Sequence, residues 1–365
     1  MAQAGTFSPV RTEAQERPVV AVDCNGSDLG PAEVAAGAAI AAGRGVRVIL
    51  FGPAEQLGEA PDGVEIVDAP VSIAKSPDPV SAARTTPQAS IVQAASAVAA
   101  GRAQALVCAG GTGAALAAGS FNIKRARGIY RPALAIPLPV PRSPVTLLDV
   151  GASVEARREH LVQFAFMGAA LSRVVLGVQR PRVGLLSNGA EAERGNRLVM
   201  DTHAELLERA RLQSGSFQFV GNVEGGDVVE GVADVIVTDG FTGNIALKLM
   251  EGVSQTMLGA VRAAAMSSTR AKLGGALLRP ALRGFREDID PEANGGAYLL
   301  GLRSLGVVPH GRFKRQGFAQ AIVRAERGAR EDIVGQTHRA LGEAGALRSV
   351  PVSEPAASLG SDERA

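Results

Sequence analysis

The sequence predicts an α/β protein, a three-layer α/β/α sandwich around a mostly parallel central sheet. Two observations carry this. Short runs rich in valine, isoleucine or leucine recur along the chain, each ending at a turn rich in Gly, Asn or Asp, and stretches of helical composition follow. Many of these runs are apolar throughout instead of alternating, as strands covered on both faces require.

The elements follow in order. Pro18-Val-Val-Ala-Val-Asp23 runs into Cys24-Asn-Gly-Ser-Asp28, and an alanine-rich helix begins near Pro31. Ala105-Leu-Val-Cys-Ala109 runs into Gly110-Gly-Thr-Gly113 and then Ala114-Ala-Leu-Ala-Ala118. Val145-Thr-Leu-Leu-Asp149 meets Gly151-Ala-Ser153, with a helix around His160–Phe164. Arg182-Val-Gly-Leu-Leu186 meets Ser187-Asn-Gly189 and a polar loop ending Arg194-Gly-Asn196. Phe217-Gln-Phe-Val220 ends at Gly221-Asn-Val-Glu-Gly225. The fullest unit is Asp234–Gly252: Val235-Ile-Val237 is a β-branched strand, Asp239-Gly240 turns the chain, and Gly243-Asn244 opens a helix carrying Ile245, Leu247, Leu249 and Met250. A glycine-rich turn at a helix N-terminus leaves N–H groups that favour an anion. In parallel sheets ligands gather outside the carboxyl ends of the strands, where these turns fall. Tight turns alone account for any one of the glycines; the recurrence of Asn25, Asn188, Asn196, Asn222 and Asn244 beside them is less easily explained, although asparagine also tolerates turn geometry.

With 365 residues and 46% hydrophobic content the chain can bury a substantial core. A net charge of +2 gives no argument for nucleic acid, and Lys124-Arg-Ala-Arg127 reads as a solvated surface. Cys24 and Cys108, each near the end of an apolar run, read as free thiols of a reducing cytoplasm. Residues 1–17 read as a disordered leader without the apolar core of a signal peptide, 18–345 as the α/β domain, and 346–365 as a flexible tail. No window is apolar enough to span a bilayer.

One region breaks the rhythm. Between Gly252 and Arg286 lie six basic residues and no acidic one, interleaved with Met257, Leu258, Val261, Met266, Leu273, Leu277 and Leu278. A basic amphipathic helix pair suits an anionic lipid interface; packing against the body or a second copy suits it equally. Pro280 is expected to kink or end its helix.

The motif search excludes several classes. A Walker pattern is absent. Gly111-Thr-Gly113 followed by Leu116 fails the dinucleotide fingerprint at its third glycine, and the position of the ribose-binding acid holds Arg131-Pro132. No G-x-S-x-G elbow and no zinc spacing occur, so neither cofactor nor metal is expected. Of the four histidines, His310 alone ends an apolar run as the other loops do.

Arg131-Pro-Ala-Leu-Ala135, Leu147-Leu-Asp-Val-Gly-Ala152, Glu159-His-Leu-Val-Gln-Phe-Ala165, Gly221-Asn-Val-Glu-Gly225, Asp239-Gly-Phe-Thr-Gly-Asn244 and Gly295-Gly-Ala-Tyr-Leu-Leu-Gly301 resemble the bacterial phosphate acyltransferases of the PlsX type, in order, over roughly Pro18–Ala340. The resemblance implies transfer of a fatty acyl group from acyl carrier protein to inorganic phosphate, giving acyl-phosphate for phospholipid synthesis. It implies a homodimer of a fold related to isocitrate and isopropylmalate dehydrogenases and to phosphotransacetylases. It also implies a protruding helix pair that meets the membrane peripherally, which is placed at 252–286.

That chemistry needs no protein nucleophile, because phosphate is itself one; it needs proximity and donors for the developing oxyanion. Arg194, Asn196 and Asn244 are the catalytic candidates. Asp23, Gly26, Gly111, Thr112, Gly113, Asn222, Asp239, Gly243, Lys248 and His310 are the candidates for holding phosphate or substrate, Lys248 being equally readable as a surface residue. The chain departs from the family at four loops, one of them Gly111-Thr-Gly113 where the family has Asn-Thr-Gly. Asp23-Cys-Asn-Gly-Ser-Asp-Leu-Gly-Pro31 has Ser27 for a glycine and Leu29 for a histidine, Thr86-Pro-Gln-Ala-Ser-Ile91 lacks a lysine and a serine, and Arg194 replaces a lysine. Arginine can clamp phosphate but cannot carry a proton. Two alternatives therefore stay open: a transacylase of altered donor or acceptor, such as acyl-CoA, and a degraded relative kept as a membrane or protein scaffold.

Overall fold

The computed structural model describes residues 17–138, 140, 144–212, 216–288, 292 and 295–348, with the side chains of 212 and 279–288 excepted. The expected leader, apart from Arg17, and the tail beyond Arg348 lie outside the described residues.

The amino-terminal part runs β1 (Val19–Asp23), α1 (Pro31–Gly43), β2 (Arg47–Gly52), α2 (Ala54–Leu57), β3 (Val64–Asp68), α3 (Pro79–Thr85), α4 (Ser90–Ala99), β4 (Ala105–Cys108) and α5 (Thr112–Ala118), which continues as a π-turn to Ile123. The middle runs β5 (Ala133–Leu138), β6 (Val145–Leu148), α6 (Arg158–Leu171), β7 (Arg182–Leu186), α7 (Arg197–Leu212), β8 (Gln218–Val223), β9 (Val235–Val237), α8 (Gly240–Met266) and α9 (Thr269–Asp288). The chain then returns through β10 (Ala297–Leu300), β11 (Leu305–Val308), α10 (Arg315–Arg330) and α11 (Ile333–Glu343).

The strands form one sheet of eleven, in the order β3-β2-β1-β4-β11-β10-β5-β6-β9-β7-β8. Successive strand residues enter different cores. Val20 and Val22 of β1 join one with α1, α6 and α10, while Ala21 joins the other with α4 and α5. In β9, Val235 and Val237 face the first core and Ile236 the second. Apolar residues on both faces make three layers, as the uninterrupted apolar runs predict.

The pairing decides where the loops go. β3, β2, β1, β4 and β11 are mutually parallel, and so are β6, β9, β7 and β8. Between these blocks β11–β10, β10–β5 and β5–β6 are all antiparallel. Three reversals set the blocks in opposite directions. Their carboxyl ends therefore emerge at opposite edges of the sheet.

Two boundaries differ from the sequence reading. Ala346 is buried, its carbonyl accepts from Gln163 Nε2 at 2.8 Å, and Arg348 N–H donates to Gly128 O, so the body continues through Arg348. Of the two outcomes expected at Pro280, a kink or an end, the end does not occur: helix α9 runs on to Asp288. One proline removes a single backbone bond, which the remaining turns of a 20-residue helix outlast. Past Leu247 no residue of α8 is buried, and Leu273, Leu277 and Leu278 of α9 are 66%, 77% and 59% exposed. Those leucines are not core in the single chain.

Candidate active site

The candidates from sequence fall into two groups, one at each edge. Asp23, Gly26, Gly111, Thr112, Gly113 and His310 follow β1, β4 and β11; Arg194, Asn196, Asn222, Asp239, Gly243, Asn244 and Lys248 attend β7, β8 and β9. Gly111–Gly113, Arg194–Asn196 and Gly243–Asn244 do not converge on one anion within one chain. Five strand spacings separate β4 from β9, roughly 24 Å of sheet, and the two ends point opposite ways. Sequence reveals which strands end in glycine loops but not the antiparallel pairs that reverse the sheet.

At the first edge three backbones crowd together. A Cβ on Gly26 would overlap the carbonyl of Ala109, and one on Gly110 would lie 2.6 Å from Gly26 O and 2.9 Å from Gly311 Cα. Asp28 N–H donates to Gly311 O at 2.8 Å, which ties the loops after β1 and β11 together. Asp23 is buried beneath them. Its Oδ1 accepts from Ser90 Oγ at 2.6 Å and Asn25 N–H at 3.2 Å, and its Oδ2 from Cys108 Sγ at 3.3 Å. Burial pushes this carboxyl up, against the opposing pull of those hydrogen bonds. With both oxygens engaged, Asp23 orders the loop. Asn25 Nδ2 donates to Ala69 O at 2.9 Å and to Ser90 Oγ at 3.1 Å. Ser90, at the start of α4 and 67 residues from Asp23, is a residue that sequence reasoning missed; no local signal marks it.

Over this floor begins α5. Gly111 caps it without a side-chain bond, and among the described residues the N–H groups of Gly26, Gly111, Thr112 and Gly113 have no acceptor. Thr112 and Gly113 are exposed. His310 is exposed beside them, its Nδ1 accepting from Arg312 N–H at 3.2 Å. The result is a cluster of unpaired donors at the start of α5, with those of Thr112 and Gly113 on exposed residues, suited to a small anion.

The second edge is built differently. Asp149, fully buried at the end of β6, accepts from the N–H groups of Leu134, Gly151 and Ala152 on Oδ1 and of Ser153 on Oδ2, at 2.7–3.1 Å. Burial raises its pKa, and those four backbone bonds pull the other way. Helix α8 presses onto this loop, because a Cβ on Gly243 would overlap the Asp149 carbonyl. Three of its leading donors are already used: Gly240 N–H bonds Ser153 O, Thr242 N–H bonds Asp239 Oδ1, and Gly243 N–H bonds Asp239 O. The Gly240–Gly243 turn thus serves close packing, where the sequence suggested open donors. Asp149 was missed as a candidate; an acid closing an apolar run before Gly-Ala-Ser is the signal that could have found it.

The remaining candidates of this edge have local partners. Asn244 is exposed and donates Nδ2 to Val150 O at 3.2 Å. Asn196 Oδ1 caps α7 by accepting from Val199 N–H at 3.0 Å. Arg194 pairs in solvent with Glu191 at 3.4 Å, and Lys248 with Glu251 at 2.8 Å. Asn222 is buried: Nδ2 donates to Glu191 O at 2.7 Å and Oδ1 meets His203 Nδ1 at 2.9 Å, holding the Arg194 loop against α7.

Residues 19–336 match the family model described as fatty acid synthesis protein. This chain belongs to that family. The phosphate acyltransferase of Nitratidesulfovibrio vulgaris strain DP4 is 41% identical over 312 residues, 83% of this chain and 89% of that protein. That of Thermobifida fusca strain YX is 46% identical over 198 residues, 54% of each chain. Two solved structures share the fold: a phosphotransacetylase from Streptococcus pyogenes (TM-score 0.58, 14% identity) and the EutD phosphotransacetylase from Staphylococcus aureus (0.55, 16%), each covering 86% of this chain and 94% of its own. Among the described residues no His/Cys/Asp/Glu cluster could hold a metal, and no helix is long and apolar enough to cross a membrane.

Proposed function

We propose that this phosphate acyltransferase moves a fatty acyl group from acyl carrier protein to inorganic phosphate, and that phosphate sits at the first edge, on the open N–H groups of Gly26 and Gly111–Gly113. A phosphate oxygen attacks the thioester carbonyl. The C–O bond forms, the C–S bond breaks, and the carrier leaves as a thiol with the proton that hydrogen phosphate gives up. Backbone donors suit both tasks, holding the anion and stabilising the oxyanion, without a side chain that must change protonation. The carrying observation is that α5 starts uncapped, with the N–H groups of the exposed Thr112 and Gly113 lacking an acceptor among the described residues, above glycine loops packed backbone to backbone. The membership in a fatty acid synthesis family supports the acyl substrate.

Arg194, Asn196 and Asn244 join this reaction through a homodimer, in which the second edge of one copy closes on the first edge of the other. Support comes from the exposed Phe241, Ile245 and Leu249 beside Asn244, an apolar strip that a second copy covers. The test of function is acyl-phosphate formation, trapped as a hydroxamate, from long-chain acyl carrier protein and phosphate. Product from acyl-CoA alone favours the altered-donor reading. No product from either donor returns the protein to the scaffold reading.

A further inference from the structure

The end of the sheet where β5 begins and β10 finishes carries a cluster of cations that the proposed chemistry has not used. Lys124, Arg125, Arg127, Arg131, Arg157 and Arg303 are all exposed. Backbone and ring contacts hold them together. Arg303 N–H donates to Lys124 O at 3.0 Å, Arg125 bridges to Leu302 and its guanidinium donates to Tyr130 O, and the Tyr130 ring lies 5.8 Å from that of His160. His160 Nδ1 in turn accepts from Arg157 N–H at 3.1 Å; burial holds that ring's pKa down, Glu159 opposes this, and Arg131 and Arg157 add to it. Among the described residues none of the six is ion-paired to a carboxylate, although Arg158 next to them is, with Glu205. Six fixed cations left unpaired on one face attract an anionic surface.

The choice of partner follows from what surrounds them. Lipid insertion needs exposed apolar side chains beside the charges. Here Val154 supplies some, whereas α8 and α9 display many. A polar cationic face suits a soluble acidic protein. The distance to the phosphate donors fits a carrier. Helix α5 and its π-turn run twelve residues from Thr112 to Ile123, roughly 18 Å, directly from the donors to Lys124. Along them Gly113, Leu116, Ser120 and Phe121 stay partly open at helical spacing, with Arg84 over the Phe121 ring at 4.5 Å.

We propose that the Lys124–Arg127, Arg131, Arg157 and Arg303 face docks an acidic acyl carrier, and that the Leu116–Ser120–Phe121 side of α5 is the track along which its thioester arm reaches phosphate. This rests on the acyltransferase reading. The test compares wild type with Arg127→Glu/Arg303→Glu, both exposed and outside the phosphate donors. Steady-state rates are measured with acyl carrier protein and with acyl-pantetheine, and carrier binding by fluorescence anisotropy at low salt. The double variant should raise KM for the carrier-borne donor about tenfold or more, leave acyl-pantetheine turnover and phosphate KM unchanged, and weaken carrier binding; added salt should weaken wild-type binding likewise. A second variant, Ser120→Tyr, should slow both donors while leaving carrier binding intact. Unchanged carrier binding in the double variant overturns the docking face, as does loss of anionic-vesicle binding in its place. If no donor gives acyl-phosphate, the acyltransferase reading fails, while the anisotropy still decides whether this face binds the carrier.

Discussion

Gly243 and Asp149 meet so closely that no side chain fits between them: a Cβ on Gly243 would overlap the Asp149 carbonyl oxygen. The first turn of α8 therefore rests directly on the loop after β6. Gly252, nine residues later in the same helix, has nothing within 4 Å of where its Cβ would be. Gly243→Ala should cost about 1–3 kcal/mol through forced displacement of that loop. Gly252→Ala should stabilise by about 0.5–1 kcal/mol, because alanine restricts the unfolded chain and favours helix. Urea denaturation of both variants checks the contrast. Equal effects of one sign would show that the contact is not a constraint.

Asp149 gives the same loop a pH signature. Its folded pKa is raised by burial, above an unfolded value of about 3.9. Between those two values the folded state binds more protons than the unfolded state. Stability from this group is complete below the unfolded value and is lost as pH rises through the folded one. Asp149→Asn should remove that slope from the stability profile. Asp149→Ala leaves four N–H groups without their acceptor and should cost about 3 kcal/mol or more at any pH. A variant profile parallel to wild type across the acid range would count against the burial argument.

The fold was readable because sheets covered on both faces write themselves as apolar runs. Val235–Val237 could be placed as a strand, and Asp239–Asn244 as the turn into a helix, from residue types alone. What could not be read was direction. Nothing local distinguishes the antiparallel Ala133–Leu138 and Ala297–Leu300 from parallel strands, yet their pairings send Gly113 and Asn244 to opposite edges. The Asp239 loop was legible as a helix start, but its bonds to Thr242 and Gly243 fill the donors that were expected to be open. Ser90 was invisible because its partners, Asp23 and Asn25, lie more than 60 residues away.

Ser90 links the floor of the proposed phosphate cradle, donating to Asp23 and accepting from Asn25. Ser90→Ala removes both bonds and leaves Asp23 with less to offset its burial. Phosphate KM should rise about fivefold, the equivalent of 1 kcal/mol, with Ser90→Thr restoring it. KM for the acyl donor should stay level, since Ser90 touches none of the exposed cations. A folded Ser90→Ala protein with wild-type phosphate KM would reduce this network to a structural role.

The two edges make a prediction about mixed dimers. Thr112→Asp places a carboxylate among the α5 donors and should abolish phosphate use while keeping the fold, an acid being favourable at a helix start. Asn244→Ala should lower turnover about tenfold or more by removing a donor. If the edges meet across a dimer, co-expressing the two variants should yield mixed dimers in which one site has both good edges. Activity per mixed dimer should then approach half of wild type. Arg194→Gln should raise phosphate KM in the same arrangement, and Arg194→Lys should retain activity. Mixed dimers no better than either parent would show that the two edges do not meet across a dimer, and an Asn244→Ala parent with wild-type turnover would place Asn244 outside the reaction.

We propose that the α8–α9 pair brings product to lipid. A long-chain acyl-phosphate is poorly soluble, so release at a membrane surface is favourable. Leu273, Leu277 and Leu278 are well exposed on α9, and Arg262, Arg270 and Lys272 lie among them and on the end of α8. Each cation near an anionic surface contributes about 1 kcal/mol, fading within a Debye length. Binding should therefore be reversible, favour vesicles containing phosphatidylglycerol over neutral ones, and weaken with salt. Because the three leucines are already exposed, changing them together to Glu should leave the melting temperature near wild type and abolish vesicle sedimentation. Acyl-phosphate formation in solution should persist. A large fall in melting temperature would mean that a second copy buries these leucines, and the pair would then be an assembly surface instead of a lipid one.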